Sequence, residues 1–229
     1  MRINIISFKK LKMRKRIKIC CISSILESKL AIKFGADALG LVSNMPSGPG
    51  VISDRLITEI IKTIPPPISS FLLTSRINAG GIISQHKKIN SNTIQLVDAV
   101  DFETYKILRK KLPTVKLVQV IHVLNEHNVE DALVISEYVD ALLLDSGNPN
   151  LDVKILGGTG ITHNWALSRK ICELSKAPVF LAGGINAENV KQANDEVNPF
   201  GFDLCSSVRS NGKLDEFKLG AFFEAVEKI

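Results

Sequence analysis

From Ile17 onward the chain repeats one unit: a short run of β-branched or aliphatic residues, then a longer stretch whose apolar positions recur every three or four residues. The runs fall at residues 17–22, 38–42, 69–73, 93–96, 116–123, 141–145, 178–182 and 201–205. The stretches between them predict helices. Leu56, Ile57, Ile60, Ile61 and Ile64 form one apolar stripe, and Leu214, Phe217, Ala221, Phe222, Ala225 and Val226 form another. Ser53 and Asp101 stand where helix N-caps are expected, because a short side-chain oxygen there accepts from the free amides of the first turn. Strands alternating with helices predict parallel βα units. Eight such units, in a length just under the ~250 residues typical of a closed barrel, predict a single (β/α)8 TIM barrel over residues 17–229.

The competing α/β architecture is an open, doubly wound sheet, which places a glycine-rich phosphate loop after its first strand. Here the first run is followed by Ser23-Ser24-Ile25-Leu26, with no glycine. Glycines gather late instead, at Gly157-Gly158-Thr159-Gly160 and Gly183-Gly184, where barrels bind phosphate. An anion site in the second half of the barrel is therefore expected.

The formal charge of +6 changes the picture only until it is located. Arg2, Lys9, Lys10, Lys12, Arg14, Lys15 and Arg16 include seven basic groups with no acid among the first sixteen residues, leaving 22 basic against 23 acidic groups in the body. Residues 1–16 read as a basic, disordered extension, or as residues ahead of a true start at Met13. The nearly neutral body does not interleave aromatics with Lys or Arg, so no nucleic-acid partner is expected. No apolar run approaches the ~20 residues of a membrane span. The content is 45% hydrophobic and 23% charged, enough for a core without disulfide staples. Cys20, Cys21, Cys172 and Cys205 lack zinc-ligand spacing and read as free thiols of a reducing, cytoplasmic compartment. His86, His127 and His163 share no ligand spacing either, and no metal is expected.

Strand alternation places Lys18 and Cys20 on one face, with Ile17, Ile19 and Cys21 turned to the helix layer. Cys20 then points into the barrel mouth, where a thiolate favoured by Lys18 could take a proton from carbon. The same residue could equally be a small buried hydrophobe. Asp145 ends the run Ala141-Leu142-Leu143-Leu144, and strand ends are where barrels carry their catalytic groups. A desolvated carboxyl there could act as a general acid, whereas a solvated one would stay ionised. Gly183 and Gly184, with Gly158 and Gly160, expose backbone amides to an anion, and Ser206 and Ser207 add donors after the last run. His122 falls at a strand end, with a structural role as its default reading. Trp165 reads as helix packing.

Taken in order, Lys18-Ile19-Cys20, Gly35-Ala36-Asp37-Ala38-Leu39-Gly40, Ile94-Gln95-Leu96, Leu142-Leu143-Leu144-Asp145-Ser146, Gly157-Gly158-Thr159-Gly160, Leu181-Ala182-Gly183-Gly184-Ile185-Asn186-Ala187-Glu188-Asn189-Val190 and Asp203-Leu204-Cys205-Ser206 resemble the phosphoribosylanthranilate isomerase family of tryptophan biosynthesis. The resemblance covers nearly everything after the extension. It implies a cofactor-free Amadori rearrangement of an aminoaldose phosphate to an aminoketose phosphate, by a monomer or homodimer. Cys20 would be the general base and Asp145 the general acid. Gly158, Gly160, Gly183, Gly184, Ser206 and Ser207 would hold phosphate, and Lys18, Arg76, Gln95 and His122 would contact the rest of the substrate.

Four departures stand beside the matches. The family's Cys-Gly is Cys20-Cys21 here, and its Ser-Gly is Ser206-Ser207. Its Ser-Pro-Arg-Tyr-Val segment reads Gly48-Pro49-Gly50-Val51-Ile52, without the arginine that meets the anthranilate carboxylate. Its Gln-Leu-His-Gly reads Gln95-Leu96-Val97-Asp98. Arg76 is the expected substitute cation. The alternatives are a phosphosugar isomerase with a changed aglycone and a non-catalytic phosphate-binding barrel.

Overall fold

The computed structural model describes residues 14–46, 48–146 and 164–229. Eight parallel strands, each hydrogen-bonded to its sequence neighbours, close into a barrel: β1 (Arg16–Ile19), β2 (Ala38–Val42), β3 (Ser69–Thr74), β4 (Thr93–Leu96), β5 (Lys116–His122), β6 (Ala141–Asp145), β7 (Val179–Leu181) and β8 (Gly201–Leu204). The helices between and after them are α1 (Ile25–Phe34), α2 (Asp54–Ile61), α3 (Ala79–Ile89), α4 (Phe102–Lys111), α5 (Glu126–Ile135), α6 (Trp165–Leu174), α7 (Val190–Val197) and α8 (Glu216–Val226). The seam that completes the ring pairs Arg16 with Gly201, Ile17 with Phe202, Lys18 with Asp203 and Ile19 with Leu204. After β8 come a 3-10 turn at Ser206–Val208 and a two-stranded hairpin, β9 (Arg209–Ser210) and β10 (Lys213–Leu214). Asn211 and Gly212, both at positive φ, connect its strands, the pairing that a tight hairpin turn favours.

Period-two alternation divides the core into two layers. Leu39, Leu41, Leu72, Leu117, Leu142, Leu144 and Phe202 face outward and pack under the helices. Val42, Phe71, Leu73, Val118, Val120, Leu143 and Phe180 fill the barrel interior. Phe71 and Phe180 meet edge to face, 6.2 Å between centroids. Full burial of each such large side chain stabilises the fold by about 1.5–3 kcal/mol.

The expected strands after the first begin and end within one residue of their observed limits. β1 is different, since it ends at Ile19 and leaves Cys20, Cys21 and Ile22 beyond it. Cys21, expected to face the helices, has φ 61 and joins Cys20 in the interior cluster. Strict alternation fails there because the chain leaves extended geometry at that residue. Ser53 and Asp101 do cap α2 and α4, accepting from the amides of Leu56 and Thr104. In α8 the expected stripe is corrected: Phe217 is 90% exposed and the buried face is Leu219, Phe222 and Val226. Asp215, accepting from the amides of Phe217 and Lys218, starts the helix at a phase that turns Phe217 to solvent. Trp165 opens α6 and packs against the outer core layer, as expected of it.

Candidate active site

Cys20 and Asp145 line one cavity at the C-terminal end of the barrel, together with Gln95, Gly183, Gly184, Asp203, Ser206 and Ser207. Several features of the chain bring Cys20 there. Its amide continues the β1–β8 ladder, donating to the carbonyl of Leu204 at 2.7 Å. Gly40 in β2 leaves the room for it: a β-carbon at that position would come within 2.8 Å of the Cys20 Sγ and 3.2 Å of the Lys18 Nζ. The guanidinium of Arg209 holds the turn that follows, donating to the carbonyls of Cys21 at 2.6 Å and Cys20 at 3.3 Å. Glu27 backs that guanidinium at 3.0 and 3.1 Å and also accepts from the amides of Ser23 and Leu214. One buried ion pair thus ties the end of β1, the start of α1 and the β9–β10 hairpin together.

Beneath Cys20 lies Lys18, 0% exposed, with its Nζ 2.8 Å from Asp203 Oδ1. Burial favours loss of the lysine proton, but the facing Asp203 carboxylate outweighs it and keeps the ammonium charged well above the usual lysine range. Lys18 also stands 5.4 Å from the centre of the Phe71 ring. Cys20 is held below the ordinary thiol range, by its hydrogen bond with Cys21 and then by the charge of Lys18, against the opposing effect of burial. Asp145 is the reverse case. Burial, joined by the nearby Asp203 charge, pushes its carboxyl up to about 6, although the Ser146 amide donates to Oδ1 at 2.7 Å. The cavity therefore carries a thiol biased toward the thiolate and a carboxyl biased toward the neutral acid, which is the pairing that proton transfer in both directions needs.

The expected contact residues divide. Gly183 and Gly184, at φ 78 and 66, turn the chain after β7, and Ser206 and Ser207 form the 3-10 turn after β8, so the two segments face the same cavity. Gly158 and Gly160 lie outside the described residues. Gln95 lines the cavity with a buried Oε1 that has no hydrogen-bond partner. Lys18 does not line it and reaches it through Cys20 and Asp203. His122 opens on another depression, between Asp98, Gln119 and Asn128, where burial lowers its pKa. Arg76 is exposed and absent from the cavity wall, because the chain turns outward after β3 to reach Asn78, the N-cap of α3. Among the described lining residues the charged ones are Asp145 and Asp203, and the wall opposite the glycine turns is apolar, with Val42, Met45, Leu73, Val97 and Val120. Arg209 was not anticipated. Its signal, a basic residue soon after the last strand, is no different in sequence from any surface arginine.

A family model described as N-(5'-phosphoribosyl)anthranilate (PRA) isomerase matches residues 17–225. A Methanosarcina mazei protein named N-(5'-phosphoribosyl)anthranilate isomerase 2 is 34% identical over 206 residues, which is 89% of this chain and 90% of that one. The crystal structure of phosphoribosyl anthranilate isomerase from Thermotoga maritima superposes with a TM-score of 0.80 at 28% identity, covering 94% of this chain and all 100% of that one. A further crystal structure of such an isomerase, in complex with reduced 1-(o-carboxyphenylamino)-1-deoxyribulose 5-phosphate, gives a TM-score of 0.77 at 26% identity, covering 94% and 100% of the two chains.

Proposed function

Since the chain belongs to the N-(5'-phosphoribosyl)anthranilate isomerase family and shares its place in tryptophan biosynthesis, we propose that Cys20 and Asp145 carry the proton transfers of that isomerisation. The observation that supports this most is their opposite bias within one cavity, Cys20 toward the thiolate and Asp145 toward the neutral acid. Asp145 delivers its proton to the ribose ring oxygen, and the ring opens to a Schiff base. The Cys20 thiolate takes the C2′ proton, leaving an enolamine that ketonises to the aminoketose phosphate. No electron acceptor is needed, because the substrate oxidises one of its carbons while reducing the next.

The phosphate sits against the amides of Gly183, Gly184, Ser206 and Ser207, with Gly158 and Gly160 expected to complete the cradle. It anchors the sugar while the ring opens. Gln95 offers its free carboxamide oxygen to a substrate N–H or hydroxyl. A relative has been crystallised with reduced 1-(o-carboxyphenylamino)-1-deoxyribulose 5-phosphate, and in this chain the aromatic ring of such a ligand meets Val42, Leu73 and Val97. The four free thiols fit a cytoplasmic enzyme, and we take the working unit to be a monomer or homodimer. No helix among the described residues is long and apolar enough to cross a membrane.

The test is the fall in fluorescence as phosphoribosylanthranilate is consumed, followed for the wild type, Cys20→Ser and Asp145→Asn. Each variant is expected to lose about two to four orders of magnitude in turnover. Near-normal turnover by Cys20→Ser overturns the assignment of the base. A second reading, a changed aglycone, draws on one observation: the described lining residues include no cation to meet an anthranilate carboxylate. A substrate analogue without the carboxylate separates the two, since equal turnover of both favours the changed aglycone.

A further inference from the structure

Three of the four cysteines, Cys20, Cys21 and Cys205, line the same cavity, yet the proton transfers use only the first. Cys21 and Cys205 are 184 residues apart in sequence and follow the two strands that close the barrel. Their Sγ atoms are 2.8 Å apart. Both are free thiols. A disulfide needs a sulfur separation of about 2.05 Å, so the gap to be closed is less than the width of an atom.

We propose that Cys21 and Cys205 form a reversible disulfide across the β1–β8 seam, made by exchange with a low-molecular-weight disulfide of the glutathione type. Access and fixity both favour this pair. Cys205 is half-buried at the cavity wall, open to a small oxidant. Cys21 is held in place by Arg209 on its carbonyl and by its own thiol, 3.6 Å from the Pro49 carbonyl. The neighbouring pair Cys20 and Cys21 is not a competitor. Consecutive α-carbons across a trans peptide lie about 3.8 Å apart, closer than the ~4.4 Å lower limit for an ordinary disulfide.

The exchange runs in two displacements. The Cys205 thiolate attacks one sulfur of the small disulfide, forming a protein–small-molecule mixed disulfide and expelling one small thiolate. Cys21, giving up its proton, then attacks the Cys205 sulfur and expels the second small thiolate. Two protein thiols are oxidised, one small disulfide is reduced to two thiols, and the two protons released by the cysteines finish on those thiols. Cys21 is the slower partner, because its hydrogen bonds with Cys20 and Cys205 and its burial hold its proton well above the ordinary thiol range.

Cys21 follows Cys20 directly, and Cys205 directly precedes Ser206. Drawing the two sulfurs together therefore pulls the turn that carries the base toward the turn assigned to phosphate. This closure of the ligand's entry rests on the site proposed above, whereas the bond itself does not.

Full-length protein equilibrated in reduced and oxidised glutathione mixtures, then alkylated, digested and mapped by mass spectrometry, tests both parts. The free-thiol count is expected to fall from four to two, with residues 21 and 205 cross-linked. Turnover should fall in proportion to the bond and return on reduction. Cys205→Ser should lose the cross-link and the redox sensitivity, while Cys172→Ser keeps both. The proposal is overturned if all four thiols persist under oxidising mixtures, if the bond maps to Cys20 or Cys172, or if Cys205→Ser is inactivated as readily as the wild type. A bond that forms with turnover and phosphate-analogue binding unchanged upholds the disulfide and overturns the closure, whereas near-normal turnover of reduced Cys20→Ser overturns the proposed site and leaves the disulfide standing.

Discussion

A β-carbon added at Gly50 would lie 2.5 Å from the β-carbon of Cys21 and 2.9 Å from its α-carbon, so the side chain at 21 fills the space that a side chain at 50 would need. The two departures noted in the sequence, cysteine at 21 and glycine at 50, therefore meet at one contact. Gly50→Arg alone should destabilise by about 1–3 kcal/mol through overpacking, with added strain from φ +77. Cys21→Gly in the same chain should recover the part due to the Cys21 side chain, while the 2.9 Å contact with the α-carbon of residue 21 remains. Urea unfolding of the four combinations measures this as a double-mutant cycle, and additive effects would show the two positions to be uncoupled.

The second prediction concerns Asp145, whose carboxyl is raised from 3.8 to about 6 in the fold, chiefly by burial. Between these values the folded chain holds a proton that the unfolded chain has released, so stability falls as pH rises through the window. Asn has no such proton. Asp145→Asn should match the wild type near pH 4 and exceed its stability above pH 6, by up to about 3 kcal/mol. Denaturant unfolding at the two pH values measures the difference. In the wild type the acid-dependent limb of turnover should decline as pH rises through about 6. Equal stability of both proteins at all pH values would mean that the carboxyl is solvated.

Lys18 and Asp203 supply a third. Asp203→Asn leaves a fully buried ammonium without its carboxylate, and the expected loss is about 3–5 kcal/mol. Replacing both, as Lys18→Met with Asp203→Leu, should cost less than the single change, because no charge is then stranded. Thermal and urea unfolding compare them. Lys18→Met should also raise the pH at which Cys20 becomes reactive, read from the pH dependence of its alkylation by iodoacetamide.

Arg209 is expected to act through the Cys20 turn rather than on substrate. Arg209→Met removes the donors to the Cys20 and Cys21 carbonyls, so kcat should fall with little change in KM, and Arg209→Lys should restore part of it. Its effect on stability should depend on acid. Burial opposes ionisation of Glu27, but Arg209 and two backbone amides hold its carboxyl below the usual range. That stabilisation is present above the unfolded value of 4.5 and is lost as pH falls below it, so the variant and the wild type should converge in acid. A gap that stays constant with pH would place the role of Arg209 elsewhere.

The barrel was legible because alternation and helical period are local signals, written into each run of residues. The caps at Ser53 and Asp101 were legible for the same reason. The orientation of Cys21 is not legible in the sequence because it depends on a left-handed φ, and cysteine does not announce one as glycine would. The exposure of Phe217 is not legible either, because an apolar stripe has a period but no phase until a cap sets it. Arg76 stood near the site in sequence and away from it in space, since the path of the chain after β3 is decided by α3 and not by Arg76. The desolvation that raises Asp145 and the Lys18–Asp203 pair both depend on strands distant in sequence being brought together, so residue type suggested them without fixing their strength.

The seam between β1 and β8 also governs when the enzyme can come into being. Cys20 emerges from the ribosome long before Leu204, whose carbonyl receives its amide, and before Ser206. A growing chain can form successive βα units as they appear, but it cannot hold the Cys20 thiol beside the Ser206–Ser207 turn until β1 and β8 meet, and such long-range closure is a slow step of folding. On the proposed site, a chain cut short before Leu204 is expected to lack activity while keeping the residues of seven of the eight strands.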